Sequence, residues 1–340
     1  SEGEIWQLFT AESHKFETSR PVPNIFKSIQ ILWGIYILLT LLEILLLVIF
    51  EVNIFNAVIH SFTTLSTGGF SNFDNSISHW QMIGHPNYKM IEYIITFFML
   101  LGGINFLIHY RVLKGNIKEF FSNSEMKYFW SIIIGTVIII IGGHYYSVET
   151  FKLINLEPVF RKTLFQVTSI MTTTGFETQF IGSNFFPGIA KQLFLVLMLI
   201  GGCVGSTSGG VKVIRIAILN KLFFREINKF YLPKRAVFPV TIDKKIIPTE
   251  EILKIAAIFF AWIFLILIGG GITVVFSDLD ALQSLSGMFS AVSNIGPFYF
   301  SVDKMISLSP IIKITYIIGM LAGRLEILPV MLLFTKNAWK

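Results

Sequence analysis

One cysteine, Cys203, is all the sequence has, which excludes an internal disulfide framework and the small cross-linked folds that depend on one. Charge is scarce too. Asp, Glu, Lys and Arg make up 14% of the 340 residues, against roughly 25% in soluble domains, so the membrane is the default solvent. Apolar stretches hold no clusters of acids, histidines or cysteines, which argues against a membrane-embedded enzyme. His60 and His109 have no partners at metal-ligand spacing, so zinc is not supported. Residues Ser1 to Lys27 are polar and carry Glu2, Glu4, Glu12 and Glu17, which is unlike a cleavable signal peptide.

What the chain has in quantity is apolar residues, 53% of the total. A helix needs about 20 of them in a row to cross a ~30 Å hydrocarbon core. Hydropathy predicts six spans: Ile29 to Phe50, Met90 to Tyr110, Tyr128 to Tyr146, Ile189 to Ile218, Ile252 to Phe276 and Ile311 to Thr335. The aromatic share, 15%, fits lipid contact and interfacial belts. The net charge of +6 does not form a nucleic-acid stripe, because the basic residues sort by side of the membrane. With the six spans alternating, the side that holds both termini carries 19 Lys and Arg and the other side 7. Short basic loops stay in the cytoplasm, so both termini are expected there.

Three loops on the less basic side share a pattern. An apolar helical stretch (Ile54 to Leu65, Pro158 to Met171, Leu282 to Val292) runs into a polar, glycine-bearing segment: TLSTGGFS at Thr64 to Ser71, IMTTTGFE at Ile170 to Glu177, and AVSNIGPF at Ala291 to Phe298. Gly69, Gly175 and Gly296 recur 106 and then 121 residues apart, the mark of one unit used repeatedly. Lys89, Lys191 and Lys313 recur near the start of the helix that closes each unit. Irregular backbone at membrane depth survives only where it lines water or is buried in protein, since each unsatisfied amide or carbonyl in lipid costs several kcal/mol. Glycine allows such a segment to turn consecutive carbonyls toward one axis, where they replace the water shell of a cation. A short helix ending there points its partly negative end at the same axis. A single such motif is usually a polar turn; three at matched places point to an ion pathway.

These motifs resemble those of the Trk/Ktr/HKT superfamily of potassium transporters, and within it the TrkH-type pore subunit. The resemblance spans essentially the whole chain. It rests on HSFTTLSTGGFS at His60 to Ser71, MTTTGF at Met171 to Phe176, GGCVGSTSGGVKVIR at Gly201 to Arg215, SNIGP at Ser293 to Pro297 and GRLEI at Gly323 to Ile327. It implies an all-α membrane protein of tandem helix, pore-helix, filter-loop, helix repeats around a pseudo-fourfold pore. Residues 1–28 resemble a cytoplasmic linker, and 29–127, 128–249 and 250–340 the second, third and fourth repeats. The first repeat is then absent from these residues, and a fragment is the expected reason. The resemblance assigns potassium coordination by backbone carbonyls to Thr67, Gly68 and Gly69; Thr173, Thr174 and Gly175; and Asn294, Ile295 and Gly296.

Glycine also breaks the fourth predicted span, at GGCVGSTSGG. A phosphate-binding loop is excluded because Val211 occupies the place its lysine requires. A glycine kink for close helix packing remains open. The resemblance implies instead a flexible intramembrane gate, carried by Gly201, Gly202, Gly205, Ser206, Thr207, Ser208, Gly209 and Gly210. Arg324 is expected well inside the last span, where charge is expensive and faces a bundle interior or water; Glu326, two residues on, lies on another helix face. By resemblance Arg324 stands in the permeation path below the filter as a barrier to cations; a role in tying helices together is the alternative. Glu43, in the first span, is expected to make a buried hydrogen bond to a neighbouring helix.

The resemblance further implies potassium uptake through a gated, channel-like pore in the bacterial cytoplasmic (inner) membrane, a homodimer of the full-length subunit, and a cytoplasmic ring of nucleotide-binding regulatory subunits docked on basic loops such as Lys212 to Lys254. NAD or ATP would belong to that ring, and this chain would hold no cofactor and only K+ at the filter. A sodium or sodium/potassium-coupled transporter of the same superfamily is the alternative. A carrier built on inverted repeats fits less well, because every filter loop lies on one side.

Overall fold

The computed structural model describes residues 24–147, 156–231, 233, 238–325, 327 and 330. Most of the expected linker, Glu326 and the end of the sixth predicted span lie outside the described residues.

Three helices open three units: α1 (Ile25–Ile49), α5 (Ser124–Ser147) and α9 (Thr249–Val275). Among the described residues these three are long and apolar enough to cross a membrane. They are apolar on nearly all faces, with Trp33, Ile37, Leu41 and Leu45 of α1 turned outward as a lipid-facing surface requires. Within each unit comes a shorter, amphipathic helix: α2 (Ile54–Leu65), α6 (Leu156–Met171) and α10 (Ala281–Ser293). It packs between the opening helix and the closing one.

The closing helices are α3 (Tyr88–Gly103), α7 (Gly188–Leu199) and α11 (Pro310–Arg324). Here the predicted spans divide. α3 stops at Gly103, and α4 (Phe106–Leu113) leaves at 103° to it. Asn105 makes that break, accepting the Leu107 N–H at 2.8 Å as an N-cap, and His109 Nε2 lies 2.9 Å from the Leu101 carbonyl, which also accepts the Ile104 N–H at 3.2 Å. α7 gives way at Leu199 to a loop and then to α8 (Val213–Lys229), which packs against α5 and α9.

Units join head to tail, the closing helix of one against the short helix of the next: α3 on α6, and α7 on α10. The first joint is ionic. Glu92 of α3 and Arg161 of α6 pair while fully buried, and Arg161 also donates to Glu157 at 2.8 Å with the Tyr88 ring 5.1 Å away. The second joint is apolar: Phe194, Leu197 and Met198 share a core with Ile295 and Tyr299, and the Tyr299 hydroxyl donates to the Lys191 carbonyl.

On the basic side, a hairpin of β1 (Thr241–Ile242) and β2 (Lys245–Ile246) turns through Asp243 and Lys244, both with positive φ (45° and 66°). That is the backbone of a two-residue type I′ turn.

Candidate ion pathway

The three short helices end in segments with one backbone design. Positive φ occurs at Thr67, Thr173 and Asn294 (50°, 55°, 55°) and again two residues later at Gly69, Gly175 and Gly296 (63°, 88°, 115°). Asparagine tolerates this region, whereas a β-branched threonine does so under strain, and strain repeated at matched places is held by the surrounding structure. Reversing φ at alternate residues turns successive peptide planes so that consecutive carbonyls share a side.

Hydrogen bonds follow the same register. The carbonyl six residues before each glycine takes the amides of the segment: Thr63 O accepts Gly68 N (2.8 Å) and Gly69 N (3.1 Å), and Ser169 O accepts Thr174 N (2.9 Å) and Gly175 N (3.3 Å). Ser290 divides the task, its carbonyl accepting Ile295 N (3.0 Å) and its hydroxyl Gly296 N (2.9 Å). In the other two units the hydroxyl at that position donates onward, Thr63 Oγ1 to Phe70 O (2.8 Å) and Ser169 Oγ to Phe176 O (2.7 Å). The amides are thus consumed by each segment's own helix. Among the described residues, no hydrogen bond is donated to the carbonyls of Thr67, Gly68, Gly69, Thr173, Thr174, Gly175, Asn294, Ile295 or Gly296. Such carbonyls are available to a cation.

Neighbouring segments touch through their glycines. A Cβ at Gly69 would lie 1.8 Å from the Thr174 carbonyl oxygen, and one at Gly175 would lie 1.8 Å from that of Ile295. Three carbonyl-bearing strands therefore stand side by side.

Against the inner ends of all three lies the glycine-rich loop. Its base is pinned by Gly201 N to Val211 O (2.8 Å) and Val211 N to Leu199 O (3.1 Å). Thr207 Oγ1 donates to Leu65 O (2.9 Å) at the end of α2 and lies 3.2 Å from Gly102 O of α3. Gly209 N donates to Thr173 Oγ1 (2.7 Å), and a Cβ at Gly209 would lie 2.9 Å from Ser293 O at the end of α10. Cys203 N donates to Gly103 O (2.9 Å) and Val204 N to Glu125 Oε1 (2.8 Å). Ser206 and Ser208 bond to each other at 2.6 Å, and Ser208 Oγ accepts Gly202 N at 3.0 Å. Gly205 rests on the Asn105 side chain, while Gly210 (φ 71°) packs on Gly201.

Arg324 is the last residue of α11 and is exposed; the chain bends at Leu325, and Ile327 and Val330 beyond it are helical again, so Arg324 stands at a break in the predicted span. It still lies next to the third segment. A Cβ on the adjacent Gly323 would lie 1.6 Å from Val292 O, and Asn294 Nδ2 donates to Met320 O at 3.1 Å.

Other side chains frame these segments. His60 lies 2.7 Å from Asn56 O and 3.0 Å from Ser71 Oγ, among the rings of Phe73, Trp80 and Phe176, and pins the chain leaving the first segment. Glu43 is fully buried, but the expected hydrogen bond to a neighbouring helix is not made among the described residues: neither carboxylate oxygen has a partner, and Thr64 Oγ1 donates to His60 O at 2.7 Å. Glu177 follows Gly175 in the loop between α6 and α7, outside the spanning helices; burial pushes its carboxyl up to about 7, partly opposed by the Ile181 N–H. Among the described residues, no group of three or more His, Cys, Asp or Glu could hold a metal. Glu92, Arg161, Glu125 and Asp243 escape a reading of the sequence. For Glu92 there was a signal, a carboxylate within an apolar span, which requires a buried partner.

Comparison with known proteins identifies the family. The family model described as "TrkH: Cation transport protein" matches residues 9–339. The Trk system potassium uptake protein TrkH of Escherichia coli K12 is 32% identical over 338 residues, covering 98% of this chain and 67% of that protein. An uncharacterised cation transporter of Methanocaldococcus jannaschii is 32% identical over 335 residues, covering 98% of this chain and 64% of that protein. The crystal structure of the potassium transporter TrkH from Vibrio parahaemolyticus superposes with a TM-score of 0.78 at 28% identity, covering 94% of this chain and 66% of that one. The chain spans about two thirds of the length of these relatives. It is a mostly helical membrane protein, and it belongs to the TrkH family of cation transport proteins, a family of transporters.

Proposed function

We propose that this chain supplies three units of a potassium-selective pore and carries potassium into the cell down its electrochemical gradient. The observation that carries the reading is the matched geometry of the three segments: two positive-φ residues each, amides turned back to their own helix, and nine carbonyls to which no hydrogen bond is donated among the described residues. Its relatives are named as potassium uptake proteins. Thr67, Gly68, Gly69, Thr173, Thr174, Gly175, Asn294, Ile295 and Gly296 would coordinate the dehydrated ion. The loop from Gly201 to Gly210 is the gate, supported by its contacts with the inner ends of all three segments. Arg324 adds a positive barrier beside it.

A fourth unit completes the ring. Gly69 packs on the next segment's carbonyl, as does Gly175, while the place of a Cβ on Gly296 stands open among the described residues. The same rule seats a further segment there. Both termini lie in the cytoplasm, on the strength of the basic residues of the α4–α5 and α8–α9 connections. The full-length subunit forms a homodimer, regulated by a cytoplasmic ring that binds NAD or ATP. A sodium-coupled or sodium-selective variant of the same pore is the second reading, which the missing quarter of the filter would decide.

The test is potassium-limited growth of a transport-deficient bacterial strain. Residues 1–340 alone are expected to fail, and a chain extended upstream by a further unit is expected to rescue growth. Rescue by the short chain with potassium selectivity intact would overturn the four-part pore.

A further inference from the structure

We propose that Asp243 and Glu125 are positioning residues that couple the basic-side hairpin to the glycine-rich loop. This rests on reading that loop as the gate. The hairpin does not touch the loop by backbone hydrogen bonds. It reaches it through the first turn of α5.

The polar route has two steps. Asp243 sits in the positive-φ turn with its Oδ1 accepting both the Ser124 N–H (2.9 Å) and the Ser124 hydroxyl (2.7 Å), across 119 residues of sequence. It caps the start of α5 from outside, where unpaired amides and the helix dipole favour a carboxylate. The adjacent residue, Glu125, is fully buried and accepts the Val204 N–H at 2.8 Å. Any displacement of the cap therefore acts on the helical turn that holds the loop.

An apolar route ends at the same residue. Val204 shares one core cluster with Val240, Ile242 and Ile247, which flank or form the hairpin, and with Ile214 and Ile218 of α8. Lys221 of α8 donates to Thr241 O at 2.7 Å and fixes the far edge of the hairpin. Three residues beyond Val204 comes Thr207, bonded to Leu65 O at the end of α2. The loop is thus gripped at one end by the hairpin assembly and at the other by a pore helix. Moving the hairpin shifts the first grip without touching the carbonyl strands.

Asp243→Gly isolates the relay, because glycine keeps the positive-φ turn and removes only the carboxylate. In the full-length transporter, reconstituted in proteoliposomes, this variant is expected to raise rubidium flux about threefold at unchanged discrimination against sodium, within the range of one ordinary net hydrogen bond at an exposed turn. Hydrogen exchange of the amides between 203 and 207 should rise with it, and Asp243→Asn, which keeps the Oδ1 acceptor, should restore both. Glu125→Ala should reproduce the effect, with no further gain when Asp243→Gly is added. If that buried variant fails to fold, the exposed-turn variants decide alone. Unchanged exchange at 203–207 in Asp243→Gly overturns the relay. So does raised exchange with parental flux, provided that deleting 204–209 does raise flux. Should that deletion leave flux unchanged, the gate reading fails instead, and the coupling stands or falls on exchange.

Discussion

Two kinds of irregular, glycine-bearing backbone lie among the helices of this protein, the three carbonyl segments and the 201–210 loop, and they are held in opposite ways. The carbonyl segments give their amides to the carbonyls and hydroxyls of their own short helices, at Thr63, Ser169 and Ser290. The loop from Gly201 to Gly210 is held largely by groups outside its own helix, at Leu65 and Gly103 of the preceding unit and at Glu125 and Thr173 of other elements of its own unit. A segment fastened to its own scaffold keeps its shape when its neighbours move. A segment fastened to its neighbours is released when they shift. One arrangement suits a fixed binding site and the other a movable obstruction.

The contrast is broken most severely by placing a side chain between the carbonyl strands. Gly175→Ser sets a Cβ 1.8 Å from Ile295 O at a φ of 88°, so the strands must part. Discrimination of potassium over sodium should fall by about tenfold or more, since each ~1.4 kcal/mol lost from a binding site is a factor of ten. Reversal potentials in mixed ions read this, and unchanged values here and in Gly69→Ser would remove the carbonyl role from these segments. Deleting Val204 to Gly209 touches the other region. Rubidium flux should rise by about tenfold or more with discrimination retained, because ~1.4 kcal/mol, little more than the net worth of one of the lost hydrogen bonds, is already a factor of ten. Arg324→Ala should act in the same direction more weakly. Parental flux in both folded variants would place the barrier elsewhere. The finest cut is Thr207→Val, which keeps the side-chain shape and removes the hydroxyl from Leu65 O and Gly102 O. A loss of about 1 kcal/mol corresponds to about a fivefold shift between held and released loop. A change of selectivity instead of flux in this variant would mean that the loop belongs to the binding site after all.

Much of this was legible in the sequence because it repeats. The recurrence at Gly69, Gly175 and Gly296 marks the three segments, and the glycine run at 201–210 announces a break in a span. The other breaks were hidden. Met90 to Tyr110 reads as one apolar run, yet it bends by 103° after Gly103 because Asn105 caps a new helix; hydropathy averages over that one polar residue. Arg324 was expected inside an unbroken helix and stands at a break, where Leu325 takes the cap position and Ile327 is helical again. The pairing of Glu92 with Arg161 spans 69 residues and that of Asp243 with Ser124 spans 119. No local pattern encodes contacts of that separation. They follow from the order in which the units stack, which is a tertiary fact.

The head-to-tail joint has a consequence for how such a molecule can evolve. A contact of closing helix on the next short helix is heterologous, so copies of one unit related by a constant rotation would close into a ring without any covalent link. Fusion into a single chain makes the order of the copies permanent and frees each joint to change independently. The two joints described have done so. α3 meets α6 through a buried carboxylate and guanidinium, whereas α7 meets α10 through phenylalanine, methionine and a tyrosine hydroxyl. Exchanging the second unit for the third would bury Arg161 against a helix that offers no matching acid, and a buried charge without its partner costs about 3–5 kcal/mol. The units have become parts with fixed places, and a shuffled gene would yield a chain with a destabilised joint.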